Sequence, residues 1–426
     1  MKPQTKAILS SMAGNTLEFY DFYLYGTFAP LLAKIFFPTY DSTAALMASL
    51  MTFAAGYFMR PLGAILFGHL GDRLGRKQAL TLSIFLMAIP TSLIGFLPTY
   101  DAVGIAAPIV LVLCRLLQSI CAGGEYNGAA IFAIEHIGKG KEGFAGSLMS
   151  VSGGGGALLA TFIGAFFMQS TMPHWSWRIP FLLGALLGGV GFYIRRQVHE
   201  SPQFKKDVAK KPLNIPLSQA LSKFPIAVLC CIGGAAFSGA LSSTFAAYMN
   251  VYLTKVVGLE LGSALSLNTF GLIVFVSCAP LAGMLADRFG LARVMTISTL
   301  GLMMSIYGIF NLASTGLTLN ILLANFLLCA FAVGFIAPLN AFMNRLFPAN
   351  SRYSGIAFGY GVGMATLGGT TPIIMTWLID KTGLSMAPAF YLMSLGALGL
   401  LIIFVGSKIT EPQKKLEFRE QLVSAQ

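Results

Sequence analysis

Charged residues are scarce in this chain of 426 residues, since Asp, Glu, Lys and Arg make up only 10% of it. Hydrophobic residues reach 56%, and the mean hydropathy is +0.75. A soluble domain of this composition would expose large apolar patches to water. The shortage of charge therefore excludes an ordinary soluble protein and indicates a polytopic membrane protein.

Cysteine and histidine are also rare, with six and four residues. The cysteines lie inside apolar segments without C-x-x-C spacing, which favours core packing over metal ligation or a disulfide framework. The glycine run 153–156 lies in an apolar segment with no following Lys-Ser/Thr, so it predicts close helix packing and not a phosphate loop. No Ser/His/Asp set is present, and the sequence predicts neither an enzyme nor a cofactor.

Long apolar runs are what the chain has in abundance. About twelve segments are long enough to cross a hydrocarbon core of ~30 Å, which predicts an all-α membrane protein with twelve transmembrane helices. The predicted spans are 9–37, 44–68, 78–98, 104–135, 143–168, 178–195, 223–253, 262–286, 293–311, 317–345, 353–380 and 385–407.

A polar, proline-containing stretch separates the sixth predicted span from the seventh, and it is the natural linker between two halves. The predicted parts are an N-terminal six-helix bundle (1–195), a cytoplasmic linker (196–222), a C-terminal six-helix bundle (223–411) and a short cytoplasmic tail (412–426).

Most of the 28 Lys and Arg residues fall in loops on the same side as the N-terminus. The positive-inside rule therefore predicts that both termini are cytoplasmic. The net charge of +12 is spread over these loops and is not gathered on one patch. This distribution suits an anionic lipid leaflet and argues against a nucleic-acid partner.

A short polar motif occurs twice, each time at the end of an apolar segment. The copies are Gly68-x-x-x-Asp72-Arg73-x-Gly75-x-x-Gln78 and Gly283-x-x-x-Asp287-Arg288-x-Gly290-x-x-Arg293. Because they lie about half the chain apart, the motif indicates an internal duplication. Two homologous halves that move against each other are the expected consequence.

The duplicated motif resembles the signature of the major facilitator superfamily. Further strings resemble its metabolite:proton symporter family, which includes proline/betaine, 2-oxoglutarate, citrate and shikimate transporters. These strings are Gly14-Asn15-x-x-Glu18-Phe19-Tyr20-Asp21-Phe22, Arg60-Pro61-Leu62-Gly63, Gly123-Gly124-Glu125-Tyr126, Trp177-Arg178-Ile179-Pro180-Phe181 and Glu200-Ser201-Pro202-x-Phe204.

The resemblance covers the whole chain. It implies two six-helix bundles around a central cavity, with alternating access by rocking of the halves. It further implies a multi-pass protein of the bacterial cytoplasmic (inner) membrane that works as a monomer and is driven by a proton gradient without a cofactor.

A few ionisable residues fall near the middle of predicted spans, where insertion costs at least ~2.5–3.5 kcal/mol. Counting 1.5 Å of rise per residue puts Asp21, Arg60 and Arg115 in one layer near the midplane. We expect Asp21 to be the proton-coupling carboxylate with Arg115 as its charge partner, because an approaching cation changes the proton affinity of a carboxylate. A static ion pair is the alternative.

Helical spacing places Asn15, Glu18, Asp21 or Phe22, and Tyr25 on one polar and aromatic stripe of the first helix, which should line the cavity. For Glu18 a second proton site, a ligand contact and simple packing all stay open. Glu125 lies further toward the cytoplasm, and it is interpreted either as a proton site on the release side or as a gating or packing residue.

Arg60 is the predicted contact for a substrate carboxylate, because a guanidinium can bind two carboxylate oxygens at once. Pairing with an acidic residue of the first helix is the alternative. The second half has no charge at mid-membrane depth, so its polar residues are expected to shape the pocket or to join helices. The full set of predicted substrate contacts is Arg60, Arg115, Asn15, Tyr25, Tyr126, Tyr248, Tyr360 and Trp377.

Charges at cytoplasmic helix ends are expected to latch the two halves on the inside when the cavity opens outward. The predicted gating residues are Gly68, Asp72, Arg73, Arg76, Glu135, Asp287, Arg288 and Arg352. The leading hypothesis is a proton-driven importer of a small carboxylate or zwitterion. An exchanger or efflux antiporter of the same fold and a nutrient sensor without transport are the alternatives.

Overall fold

The fold is known from a computed structural model. It describes residues 3–38, 41–74, 76–121, 125–137, 140–196 and 216–424; within these ranges, the side chains at several helix ends, including 71–80 and 191–196, lie outside the description. The described residues form helices and turns, without a strand.

The described residues of the first half form eight helices. They are α1 (Pro3–Phe36), α2 (Ser42–Leu74), α3 (Arg76–Phe96), α4 (Tyr100–Val103), α5 (Ala106–Cys121), α6 (Glu125–Ile137), α7 (Glu142–Phe167) and α8 (Arg178–Arg196). The fourth predicted span, 104–135, corresponds to α5 and α6. The short helix α4 ends at Gly104, whose φ of 60° is a conformation that glycine adopts without steric cost.

Nine helices follow among the described residues from 216 onward. They are α9 (Pro216–Lys223), α10 (Pro225–Ser243), α11 (Met249–Lys255), α12 (Leu261–Phe289), α13 (Leu291–Ser314), α14 (Thr318–Leu346), α15 (Ala349–Gly363), α16 (Gly369–Thr382) and α17 (Ala387–Ser424). A π-helical turn, Thr244–Tyr248, joins α10 to α11, and a second one, Met364–Gly368, joins α15 to α16. Most of the predicted linker lies outside the described residues, and α9 occupies its end.

Nine helical segments among the described residues are long and apolar enough to cross a membrane, which confirms the membrane-protein class. Two shorter apolar segments, Thr81–Phe96 and Arg178–Val190, stand where further spans are predicted. Helix α1 stands where the first is predicted, and its polar stripe lowers its hydropathy. The number of crossings and the side on which the termini lie stay predictions.

Glycines allow helices of the two halves to approach closely. A Cβ atom added at Gly143 of α7 would lie 2.6 Å from the carbonyl oxygen of Gly283 in α12. A Cβ atom added at Gly283 would likewise lie 2.6 Å from the carbonyl oxygen of Gly143. A Cβ atom at Gly154 would lie 2.7 Å from the Phe275 ring. Small residues at helix crossings are the usual device for packing backbones inside a membrane. The prediction that the glycine run 153–156 serves helix packing is thus confirmed.

Buried asparagines join helices in the second half, as predicted. Asn268 donates from its side-chain amide to the Phe245 carbonyl at 2.9 Å, and Asn325 donates to the Leu267 carbonyl at 3.2 Å. These hydrogen bonds tie the first π-helical turn to α12 and α12 to α14.

Candidate functional site

Four charged side chains lie buried inside the first half. Glu18 and Asp21 of α1 are each 4% exposed, Arg60 of α2 is 7% exposed, and Arg115 of α5 is fully buried. Such groups are tolerated at this depth only with partners or in a wet cavity. The structure thus brings together the residues that the sequence predicts to share one layer.

The two arginines meet at one aromatic ring. The guanidinium carbon of Arg60 lies 4.0 Å from the ring centroid of Phe22, and that of Arg115 lies 4.2 Å from it. Both distances are within the range of cation–π attraction. The negative face of the Phe22 ring offsets part of the cost of burying two cations near each other.

Aromatic side chains also surround Arg60. Its guanidinium carbon lies 5.0 Å from the centroid of Tyr57 and 5.7 Å from that of Phe19. Its Nε and Nη2 atoms are buried, and neither has a hydrogen-bond partner among the described residues. Leaving such donors unpaired is costly in a buried site. Arg60 therefore presents two available donors inside an aromatic enclosure.

Arg115 is hydrogen-bonded on two sides. Its Nη2 donates to the Phe22 carbonyl at 3.1 Å and its Nη1 donates to Oε1 of Gln118 at 3.3 Å. The amide nitrogen of Gln118 in turn donates to the Thr91 hydroxyl at 2.8 Å. This chain of bonds leads from Arg115 in α5 to Thr91 in α3.

Asp21 lies beside Thr91, at the end of this chain of bonds. Its carboxylate is also within electrostatic reach of Arg115. A Cβ atom at Gly184 of α8 would lie 2.7 Å from Oδ1 of Asp21, so only glycine leaves space for the carboxylate there. Oδ1 has no hydrogen-bond partner among the described residues. Asp21 therefore lies beside the polar residues Thr91 and Gln118, which are hydrogen-bonded to its predicted partner Arg115.

The rest of the polar stripe on α1 faces different neighbours. Asn15 donates to the Ser152 hydroxyl at 2.7 Å and so contacts α7. The Tyr25 hydroxyl donates to the Ser49 carbonyl at 3.3 Å, and its ring centroid lies 5.0 Å from the guanidinium carbon of Arg115. Glu18 lies near Asp21 and acts on it electrostatically.

Two tyrosines, one from each half, stack against each other close to Arg60. The ring centroids of Tyr126 and Tyr360 lie 5.1 Å apart with an interplanar angle of 20°. The Tyr126 hydroxyl accepts a hydrogen bond from Asn340 at 3.0 Å, and its ring lies 5.7 Å from that of Phe19. Both predicted contacts thus belong to the aromatic enclosure.

Tyr57 makes a further contact between the halves. Its hydroxyl lies 3.4 Å from Oγ of Ser243, which donates to the Gly368 carbonyl. A Cβ atom at Gly369 would lie 2.8 Å from the Tyr57 ring. The side chain of Tyr57 therefore contacts Ser243, the residue before the first π-helical turn, and lies next to Gly368 of the second, a type of local distortion that is frequent at functional sites.

Two predicted substrate contacts lie away from this enclosure. Tyr248, which directly precedes α11, lines a separate cavity together with Thr376. Trp377, the next residue after Thr376, is 45% exposed. The structure does not bring either of them to Arg60.

The second copy of the repeated motif contacts the other half directly. The two carboxylate oxygens of Asp287 accept hydrogen bonds from the backbone N–H groups of Gly143 at 2.6 Å and Phe144 at 2.9 Å. These donors belong to the first turn of α7, where backbone N–H groups have no partner within the helix and attract negative charge.

A salt bridge lies beside this contact, between Nε of Arg345 in α14 and Oε2 of Glu142 in α7 at 2.6 Å. The other predicted gating residues of the second half have local partners. Arg288 is exposed with its guanidinium 5.4 Å from the Phe289 ring, and Arg352 donates to the Asn344 carbonyl.

The remaining predicted residues belong to the helix ends whose side chains lie outside the described part of the structure. They are Gly68, Asp72, Arg73, Arg76, Glu125 and Glu135.

Sequence reasoning missed several residues of the site. Tyr57, Thr91 and Gln118 carry no charge, so hydropathy gave no reason to single them out, and the sequence placed Phe22 only as an alternative to Asp21 on the stripe of the first helix. A helical signal existed for two of them, because Tyr57 precedes Arg60 by three positions and Gln118 follows Arg115 by three. Thr91 comes from another helix, and only the folded structure brings it near.

Known proteins resemble this chain over nearly its whole length. The family model described as "Sugar (and other) transporter" matches residues 6–214. A putative proline/betaine transporter of Staphylococcus aureus (strain MSSA476) is 34% identical over 409 residues, which cover 94% of this chain and 88% of the relative. The proline/betaine transporter of Escherichia coli (strain K12) is 31% identical, with coverage of 93% and 82%.

Solved structures share the fold at lower identity. A D-xylose-proton symporter matches with a TM-score of 0.73 at 18% identity and covers 95% of this chain and 97% of its own. A partially occluded, inward-open xylose transporter of Escherichia coli gives a TM-score of 0.74 at 16% identity, with coverage of 96% and 98%. These transporters therefore share the fold of this chain.

The relatives are transporters and not enzymes, and this chain is a membrane transporter of the same class. The chain belongs to the major facilitator superfamily and, within it, to the family of these proline/betaine transporters. It is a multi-pass protein of the bacterial cytoplasmic membrane.

Proposed function

We propose that this protein is a proton-coupled symporter that imports a small zwitterion of the proline or betaine kind by alternating access. The observation that carries the proposal is the buried Arg60, whose Nε and Nη2 have no partner among the described residues and face an aromatic enclosure. The names of the relatives support the same substrate class. Protons and the lipid bilayer are the other partners, and one copy of the chain is sufficient.

The enclosure suits both ends of a zwitterion. A carboxylate would accept hydrogen bonds from Arg60, because a guanidinium presents its donors in a fork. The ammonium end would lie against the rings of Phe19, Tyr126 and Tyr360, since aromatic faces attract cations. An inorganic anion would satisfy only the first of these contacts. The arrangement therefore favours a zwitterion over a simple anion.

Asp21 is the proposed proton site, and Thr91 is the group that responds to its charge. The Thr91 hydroxyl has one hydrogen, and both the Met87 carbonyl at 3.0 Å and the Asp21 carboxylate compete for it. An ionised Asp21 attracts this hydrogen, whereas a protonated Asp21 releases it. Because Thr91 also accepts from Gln118, the protonation state of Asp21 reaches Arg115 through this chain of hydrogen bonds.

The halves 1–195 and 223–411 are proposed to rock against each other. Contacts made by Asp287 and Arg345 with the first turn of α7 hold the halves together at their predicted cytoplasmic ends. Breaking these contacts would open the site inward, which is the two-state behaviour that alternating access requires.

The test is uptake into proteoliposomes under an imposed inward proton gradient, with proline, glycine betaine, 2-oxoglutarate, citrate and shikimate as solutes. We expect accumulation of a zwitterion by the wild type. Asp21→Asn should lose accumulation and keep exchange of solute, because the variant no longer gains or loses a proton. If no zwitterion accumulates, or if Asp21→Asn still accumulates it, the proposal fails.

Arg60 offers a second test with a matched control. Arg60→Lys keeps the charge but loses the fork, so we expect the KM for the zwitterion to rise at least about tenfold, the cost of one charge-assisted hydrogen bond. Arg293→Lys, on an exposed residue, should leave KM unchanged. Equal KM values for Arg60→Lys and the wild type would remove Arg60 from the substrate site.

A further inference from the structure

A cavity of about 210 Å³ lies apart from Arg60, at the end of the molecule opposite to the Asp287 contact. It lies between the start of α2 and the second half. Its lining is Thr43, Tyr248, Val251, Tyr252, Lys255, Val256, Thr376, Ile379, Asp380, Gly383 and Ser385. The volume is below the roughly 300–1,000 Å³ of sites for drug-sized ligands, so the cavity suits a small solute.

A positively charged side chain and a negatively charged one lie on different walls of this cavity. Lys255 ends α11, and Asp380 lies in the last turn of α16. Both side chains are exposed, and Nζ of Lys255 donates to the Ser42 hydroxyl of the first half at 2.7 Å. The inner wall holds the buried rings of Tyr248 and Tyr252, whose centroids lie 6.3 Å apart. The cavity thus combines a cation, an anion and two aromatic rings.

The cavity lies next to the contact between Tyr57 and Ser243, which separates it from the aromatic enclosure around Arg60. Tyr248 is the last residue of the π-helical turn that follows Ser243, and Ser243 contacts the Tyr57 hydroxyl. On its other side the Tyr57 ring packs against Arg60. Because the halves touch through Asp287 at the opposite end of the molecule, a solute would approach Arg60 through this cavity.

We propose that this cavity is a second, outer binding site in which the zwitterion docks before it reaches Arg60. The ammonium of Lys255 binds the carboxylate, and Asp380 with the rings of Tyr248 and Tyr252 binds the cationic end. The proposal rests on the proposed function, since it takes the transported solute to be a zwitterion.

Initial-rate kinetics test the charges. Lys255→Met and Asp380→Asn should each raise KM about two- to fivefold with an unchanged maximal rate, the usual worth of one solvent-exposed charge contact. Lys381→Met and Glu260→Gln are matched controls, because these exposed residues at the same end of the molecule do not line the cavity; their KM should equal that of the wild type. Unchanged KM in both Lys255→Met and Asp380→Asn overturns the proposal.

Labelling separates the two sites. In a Thr43→Cys variant, glycine betaine should slow the reaction of the new thiol with a membrane-impermeant maleimide. Adding Arg60→Gln should leave this protection in place, whereas adding Lys255→Met should raise the glycine betaine concentration needed for half-maximal protection about two- to fivefold. Protection lost with Arg60→Gln means that only the inner site binds solute, and the outer site is rejected. A wild type that accumulates no zwitterion refutes the proposed function itself, whatever the labelling shows.

Discussion

Arg60 and Arg115 are linked through the ring of Phe22, which lies 4.0 Å from one guanidinium carbon and 4.2 Å from the other. Arg115 also donates to the backbone carbonyl of Phe22. A shift of either arginine therefore changes the environment of the other. This link places Phe22 between the proposed substrate contact and the proposed proton network.

Phe22→Leu should uncouple the proposed substrate contact at Arg60 from the proposed proton network around Arg115. Leucine keeps an apolar side chain but has no aromatic face, and each cation–π contact between desolvated groups is worth up to about 2 kcal/mol. We expect gradient-driven uptake to fall at least tenfold in proteoliposomes. Phe22→Tyr keeps the ring and should retain most of the activity. Similar uptake by Phe22→Leu and Phe22→Tyr would show that the ring only fills space.

The proposed role of Thr91 in proton coupling can be tested by comparing valine substitutions at Thr91 and at a second buried threonine, Thr161. Thr91→Val removes the hydroxyl that lies between Gln118 and Asp21, so we expect a lower ratio of accumulated to external solute at a fixed proton gradient. Thr161→Val is the control, because Thr161 is also fully buried in the first half and its hydroxyl has no partner among the described residues. Losing an unpaired buried hydroxyl is close to neutral.

Steady-state solute ratios and exchange rates distinguish coupling from folding in this pair. Thr91→Val should keep solute exchange while the accumulation ratio falls. If both valine variants lose exchange equally, the effect is on packing and Thr91 has no part in coupling.

The class of fold could be predicted from the sequence because the signals for transmembrane helices are local in the chain. An apolar run of sufficient length predicts a span wherever it occurs, and a buried charge such as Asp21 or Arg115 is conspicuous in such a run. Their depth followed from the rise per residue of a helix. The structure buries these charges together, and their depth in the membrane stays a prediction.

The partners of those charges depend on how helices face one another, which no local rule gives. Asp21 turns toward Gly184 of α8, and Arg115 turns toward Phe22 of α1. Both orientations come from packing between distant segments. The outer cavity around Lys255 was invisible for the same reason, because its walls come from three separate regions of the chain.

Gly143→Ala should prevent close contact between α7 and α12. The new methyl group would lie 2.6 Å from the Gly283 carbonyl oxygen and 2.9 Å from Oδ1 of Asp287, and overpacking of this kind costs about 1–3 kcal/mol. We expect a lower melting temperature in detergent and slower uptake. Gly155→Ala in the same helix meets only Thr16, at 3.8 Å, and should be as stable as the wild type. Equal melting temperatures for the two variants would contradict the close helix contact.

Asp287→Ala should shift the protein toward the inward-open state. The substitution removes both hydrogen bonds to the first turn of α7, and a hydrogen bond to a charged group contributes about 1.5–3 kcal/mol. Because 1.4 kcal/mol changes a population ratio about tenfold, the open state should become readily detectable. Spin labels on the exposed residues Lys141 and Arg293, one in each half, report the separation at this end of the molecule.

The distance distribution between these labels decides the role of Asp287. The wild type should give mainly the short distance, and Asp287→Ala should add a longer one. Arg288→Gln is the matched control, since Arg288 is the next residue, is exposed and contacts the ring of Phe289. A longer distance in Asp287→Ala alone identifies the carboxylate as the latch. If the two variants give the same distribution, the contact with α7 does not hold the halves together, and Glu142 with Arg345 becomes the remaining candidate.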